Sequence, residues 1–340
     1  MRSVGSKLRA GDWVEVKGPL EIARTLDADG LLDGLPFMPE MMEFCGKRFR
    51  VLRRVEKTCV EFPGPVYEIR EFHNNDVVLL EIPRCSGDSH GGCQRSCVIF
   101  WKQGWLRKTS KDQPTAPARP LAPEELQARL KTIQAPGRYL CQSTALANAT
   151  HALNRPRVVL KCFLDVLSGS RGVFEMTKYV VIPVFRYVRA KFPRKRLLVG
   201  NLKRTPVGNL ELQPGEWVRI KSETEIAATL DSRACNRGLP CDGGMRQFCG
   251  GRYQVRSRLE RMISETTGEM RQVGSTVILD GLNCLCWQNH VGGCPRDDFM
   301  WWREIWLERE QEPGRSIEAG RREVSDCDSQ ARRLSRSAGT

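Results

Sequence analysis

The stretch from Gly11 to Lys57 occurs a second time, from Gly215 to Arg261, and this repeat constrains the fold more than any other feature of the chain. Laid over one another without gaps at an offset of 204, GDWVEVK… and GEWVRIK… agree at 21 of 47 positions. The match resumes at an offset of 201, where Gly91-Gly92-Cys93 falls on Gly292-Gly293-Cys294. Trp101, Trp105 and Leu106 likewise fall on Trp302, Trp306 and Leu307. The second copy is therefore three residues shorter between Glu56 and Cys85. Self-similarity over this length is read as two copies of one structural unit.

Within the first copy, Asp12–Lys17 alternates as a short strand, with Trp13, Val14 and Val16 inward and the charges outward. Glu21–Leu26 reads as one or two helical turns stopped by Asp29-Gly30, and Pro39 is placed to open a second short helix at Glu40–Phe44. Phe49–Val55, Val66–Phe72, Asp76–Ile82 and Val98–Trp105 are predicted strands. The Gly-Asp-x-Val-x-Val opening resembles the first strand of SH3-like small β-barrels, over fewer than ten residues of each copy. The resemblance implies barrel-like modules. The fold class expected is α+β: two homologous small β-rich, barrel-like domains from an internal duplication, joined by a Pro-rich linker and a helical segment.

Composition places the boundaries. Residues 1–107 form repeat domain 1. Residues 108–137 carry five prolines and read as a linker with one short helix at Glu124–Ile133. Residues 138–204 form a middle segment. There Val158–Leu167 and Val173–Phe192 are apolar and helical in period, Pro183 kinks the second, and Arg186–Arg204 is basic. Residues 205–309 form repeat domain 2, and residues 310–340 a charged, disordered tail. The N-terminus shows no secretory signal and no stretch reaches the ~18 apolar residues of a spanning helix, so the protein is expected in the cytoplasm, either free or peripheral to a membrane.

Fourteen cysteines in a reducing compartment point to thiols and metal ligands over a disulfide framework. Three recur at aligned positions: Cys45 with Cys249, Cys85 with Cys286, and Cys93 with Cys294. A structural zinc site needs four Cys or His ligands. In the first copy the expected set is Cys45, Cys85, Cys93 and Cys97. In the second it is Cys249, Cys284, Cys286 and Cys294, with His290 as a substitute. The competing reading is inert thiols in the core, since free Cys is among the most buried residue types. His90 is a candidate base for Cys93 or Cys97 acting as a nucleophile. Asp27-Ala-Asp29-Gly30 is read as a helix-ending turn and not a calcium loop, and the paired tryptophans as core.

The net charge of +14 suits an acidic partner. Arg186, Arg189, Lys191, Arg194, Lys195, Arg196, Lys203 and Arg204 are the residues expected to meet an anionic membrane surface or nucleic acid. The sequence thus points first to a non-catalytic, duplicated binding or scaffold protein with Cys-ligated zinc and an unknown protein partner. The alternatives are a metal- or thiol-dependent enzyme with one active and one degenerate repeat, and a peripheral membrane or nucleic-acid adaptor.

Overall fold

A computed structural model describes residues 7–63, 66–110, 123–172, 198–241, 244–284 and 296–312. The described chain is strand-rich with few helices. It divides into two compact units. Unit 1 comprises Met1–Lys195, Leu259–Gly274 and Leu282–Met300; unit 2 comprises Arg196–Arg258, Ser275–Gly281 and Trp301–Thr340.

Unit 1 begins with strand β1 (Trp13–Val16), followed by the short helix α1 (Pro19–Ala23) and β2 (Arg48–Arg54). Strands β3 (Thr58–Phe62), β4 (Val66–Phe72), β5 (Val77–Leu80), β6 (Trp101–Lys102), β7 (Leu106–Thr109) and β8 (Thr150–Ala152) complete two sheets. The first has the order β6-β5-β2-β1-β7 and the second β8-β4-β3. Val14 and Val16 are fully buried, as the alternation requires. Glu15 departs from the expected outward position. It is buried because Arg48 at 3.4 Å and Arg107 at 3.2 Å neutralise it.

Helix α1 starts as Pro at its first positions allows: Gly18 is the N-cap, and its amide donates to Glu21 Oε2 at 3.3 Å. A 3₁₀ turn over Pro39–Phe44 follows the expected proline start. The expected Val98–Trp105 strand is much shorter. Only Trp101–Lys102 pairs, and Gln103–Trp105 forms a 3₁₀ turn. Both Trp101 and Trp105 are fully buried, and Phe37 meets them edge-on with centroids 6.1 and 5.2 Å apart. The β3 strand has no counterpart among the sequence-based expectations.

Beyond the first sheet lie α2 (Pro123–Gln127), α3 (Gln142–Ala149) and α4 (Arg155–Leu167). The expected helix at Glu124–Ile133 ends early, and Ile133–Ala135 instead pairs with Arg138–Tyr139 as a ribbon. Asn154 caps α4, its side chain accepting from the Arg157 amide at 3.1 Å. The expected helix over 173–192, its kink at Pro183 and the tail beyond residue 312 lie outside the described residues.

The second copy contains β9 (Trp217–Ile220), helix α5 (Glu223–Ala227), β10 (Arg252–Arg258), β11 (Thr276–Asn283), β12 (Phe299–Arg303) and β13 (Leu307–Glu310). Their sheet order, β12-β11-β10-β9-β13, is that of the first sheet with each strand replaced by its sequence counterpart. The registers match as well. Trp13 pairs with Arg50 and Thr109, and Trp217 pairs with Gln254 and Glu310. Even the irregularity between Val51 and Arg53 recurs between Val255 and Ser257.

Side-chain bonds repeat with the backbone. Trp105 Nε1 donates to Thr25 Oγ1 at 3.2 Å, and Trp306 Nε1 to Thr229 Oγ1 at 3.0 Å. Lys17 Nζ reaches the Gly104 carbonyl at 2.7 Å, and Lys221 Nζ the Ile305 carbonyl at 2.9 Å. Asp27 Oδ1 accepts from the Asp29 and Leu31 amides, and Asp231 Oδ1 from those of Arg233 and Cys235. These are turns closed by aspartate, as expected.

Candidate functional site

In unit 1 the segment Cys85–Cys97 folds back on itself. Its ends are tied by the Cys85 amide donating to the Cys97 carbonyl at 2.9 Å. The fold-back depends on Gly87, whose φ is 78°. A Cβ there would stand 2.0 Å from the Cys93 carbonyl oxygen, so only glycine fits. Asp88–His90 forms a single 3₁₀ turn, and the His90 and Gly92 amides both donate to the Gly87 carbonyl.

His90 anchors this loop. Its Nδ1 lies 2.7 Å from Glu40 Oε1 and its Nε2 3.0 Å from the Leu140 carbonyl. A carbonyl only accepts, so Nε2 carries a proton that it donates there. Both ring nitrogens are thus committed, and the ring is buried. The sequence expectation of His90 as base for Cys93 or Cys97 is overturned: the imidazole has no lone pair directed at either thiol. Burial alone would raise the Glu40 carboxyl; His90 reverses this and holds it below the ordinary carboxylate range.

The residue after Leu140 is Cys141, the N-cap of α3, whose amide donates to Thr144 Oγ1 at 3.0 Å. Helix α3 is pinned to the core by Gln142. Its buried amide accepts from the Phe100 amide and donates to the Phe100 carbonyl, both at 2.8 Å. Cys141 is thereby brought to the loop. Cys85, Cys93, Cys97 and Cys141 line one cavity of about 30 Å³, together with His90 and Ile263. Ile263 belongs to the hairpin of Arg261–Ile263 and Met270–Gln272, and its amide points at Cys93 Sγ at 3.3 Å.

Beside the cavity is a buried ionic network. Glu265 accepts from Arg296 at 2.7 Å and from Arg95 at 3.1 Å, and Ser143 Oγ donates to it at 2.9 Å. Asp298 lies 2.9 Å from Arg296 and 3.7 Å from Arg95. Burial would raise Glu265, but Arg296 and Arg95 bring it down to about 2. Asp298 shares the same two guanidinium groups and shifts the other way, because for it burial outweighs them. The shorter contacts belong to Glu265, which stays ionised beside the two guanidinium groups.

Three of the cavity thiols, Cys85, Cys97 and Cys141, are not poised as nucleophiles. Burial pushes Cys97 up to about 12 despite the neighbouring Arg95. Burial, reinforced by the Glu40 charge, raises Cys85 as well, and burial raises Cys141 against its bonds to Thr144. A thiol raised in this way is inert unless something removes its proton.

Of the expected first-copy set, the fold brings Cys85, Cys93 and Cys97 to one cavity. Cys45 does not line it. It follows the 3₁₀ turn at Pro39–Phe44 and packs half-buried against the core, where burial raises its thiol to about 11. Of the second-copy set, Cys249 follows the 3₁₀ turn Met245–Phe248 in unit 2, and burial raises its thiol. Cys284 is half-buried in unit 1, its amide donating to the Asp298 carbonyl at 2.6 Å. Cys286, His290 and Cys294 lie outside the described residues. Among the described residues, no three His, Cys, Asp or Glu side chains converge tightly enough to hold an ion as they stand.

Cys141 was not singled out from the sequence, nor were Glu265 and Arg296. Cys141 lies in the middle segment, where the repeat provides no counterpart to mark it. Arg186, Arg189, Lys191, Arg194, Lys195 and Arg196 lie outside the described residues, while Lys203 and Arg204 are exposed. Among the described residues no helix is long and apolar enough to cross a membrane.

One face of α4 is unlike the rest of unit 1. Lys161 and Asp165 point inward: Lys161 lies 3.2 Å from Glu56 and 2.7 Å from Glu71, and Asp165 pairs with Lys57. Its apolar residues Val159, Leu160, Phe163 and Leu167 point outward, with Phe163 63% and Leu167 73% exposed. No protein-family model, curated protein or solved structure matches the chain.

Proposed function

We propose that the chain is a non-catalytic binding protein built from two barrel-like modules that arose by duplication of one ancestral unit, with the thiol cavity serving to hold unit 1 together. The observation that carries this reading is His90. The one imidazole among the described residues of the cavity spends both nitrogens on Glu40 and the Leu140 carbonyl. The Cys85 and Cys97 thiols beside it are raised by burial, not activated. A nucleophile needs a base within hydrogen-bond reach, and none of the described groups at this cavity is so placed. The shared strand order and matched registers support the duplication.

The test replaces Cys93 and Cys97 separately with Ser. In a binding protein held together at this cavity, both variants unfold several degrees below the parent chain, as loss of ~1–2 kcal/mol does in a domain of this size. If either variant keeps the parent melting temperature, the cavity is not structural and the alternative, a thiol- or metal-dependent enzyme with one degenerate repeat, takes its place.

A second reading, that the protein works at an anionic membrane surface, is favoured by α4. A helix with Lys161 and Asp165 buried and Val159, Leu160, Phe163 and Leu167 exposed presents an apolar stripe to whatever lies outside unit 1. Arg157, 59% exposed on the same helix, supplies charge of the sign that anionic head groups attract. Flotation with phosphatidylserine-containing vesicles at low salt tests it. The parent chain floats and the double substitution Phe163→Asp, Leu167→Asp does not; a parent chain that stays in the pellet at low salt removes this reading and leaves a protein partner for the helix.

A further inference from the structure

We infer that the cavity in unit 1 is a site for a tetrathiolate metal centre whose ligands are Cys85, Cys93, Cys97 and Cys141. The inference deepens the reading of the cavity as structural and rests on it. It changes the ligand set that the repeat suggested, because Cys141 takes the place of Cys45.

Four sulfurs lining one cavity of about 30 Å³ are unusual in a core, where free cysteines pack singly as small hydrophobes. The cavity exceeds the ~10–15 Å³ that one water-sized occupant needs. The Ile263 amide donates to Cys93 Sγ at 3.3 Å, and Arg95 lines the same cavity. A neutral thiol is a weak acceptor, so a backbone donor aimed at a sulfur beside a guanidinium suits a charged ligand. Cys141 is also the N-cap of an eight-residue helix, where the dipole favours an anion.

The backbone is built to the same end. Gly87 has to be glycine for Cys93 to turn back toward Cys85, and the buried Glu40–His90 pair fixes the loop between them. The sulfurs ring the cavity and do not meet at a point. Two soft centres suit four thiolates: a zinc ion, onto which the side chains must rotate to bring the sulfurs to ~2.3 Å from the metal, and an iron–sulfur cluster, which fills a cavity of several atoms. Uptake of a divalent ion ionises the four thiols and releases their protons. The two negative charges that remain face Arg95.

The experiment uses the full chain purified without oxygen and without chelator, with zinc, iron and acid-labile sulfide measured per chain. Cys97→Ser and Cys141→Ser each lose about one centre relative to the parent chain, and Cys45→Ser loses none. Zinc without sulfide identifies the single ion; iron with sulfide identifies the cluster. Because a Ser variant that fails to fold would lose metal for another reason, the folded parent chain is also stripped and titrated with Co²⁺. Intense sulfur-to-cobalt charge-transfer bands are expected, and are absent after mild alkylation of the thiols. A parent chain that contains neither metal nor sulfide and gives no such band overturns the inference while leaving the binding-protein reading in place. Metal lost from Cys45→Ser and retained in Cys141→Ser overturns the ligand set.

Discussion

His90 Nδ1 lies 2.7 Å from Glu40 Oε1, with both side chains buried, so the two share one proton inside unit 1. Glu40→Leu leaves a buried imidazole with no anionic partner. The expected cost is about 3–5 kcal/mol, the range for breaking a buried pair from one side. Equilibrium unfolding in urea measures it. A cost below ~1 kcal/mol shows that the loop is not anchored there.

Trp105 and Trp306 donate to Thr25 and Thr229 in equivalent positions of the two sheets. Thr25→Val and Thr229→Val each leave a buried indole N–H unpaired, at about 1–3 kcal/mol. The two bonds occupy equivalent places in sheets of the same strand order, so the two losses should agree to within ~0.5 kcal/mol. Unfolding of each variant, followed by tryptophan fluorescence, makes the comparison.

Glu265 sets an acid limit on unit 1. It titrates near 4.5 when exposed and is held at about 2 in the fold. A carboxyl depressed in this way contributes stability above pH 4.5 that is lost as the pH falls toward 2. Asp298, raised from 3.8 by burial, works in the opposite direction, with its effect lying from pH 3.8 upward. Glu265→Gln should therefore lower stability at pH 7 and flatten the decline between pH 5 and 3, measured by thermal melts across that range. A decline as steep as the parent chain's shows that Glu265 carries no charge in this network.

Helix α4 predicts opposite outcomes on its two sides. Lys161→Ala removes the cation between Glu56 and Glu71 and should cost about 3 kcal/mol or more. Phe163→Ser, on the exposed side, should leave stability within ~0.5 kcal/mol. Denaturant midpoints of the two variants decide the matter. A large loss from Phe163→Ser would mean that the stripe is covered by the chain itself.

Much of the fold was legible because the repeat and the β-alternation both survive locally. Trp13–Val16, the Pro39 turn and Val66–Phe72 lie where periodicity put them. Glu15 did not follow, since alternation cannot foresee the pairing with Arg48 and Arg107 that lets a carboxylate enter the core. The site was half legible. Cys85, Cys93 and Cys97 are close in sequence, and glycines between them allow a fold-back. Cys141 reaches them only through α3, held by Gln142 to Phe100, and nothing local announces that contact. The inward-charged face of α4 was hidden for a related reason: its apolar period reads the same whether that face meets a core or the outside.

The extended X-ray absorption fine structure of the metal in the purified full chain tests the central claim most directly. A first shell dominated by sulfur, near ~2.3 Å for zinc, is the predicted result. A shell dominated by nitrogen and oxygen, or a chain with no metal to measure, contradicts it.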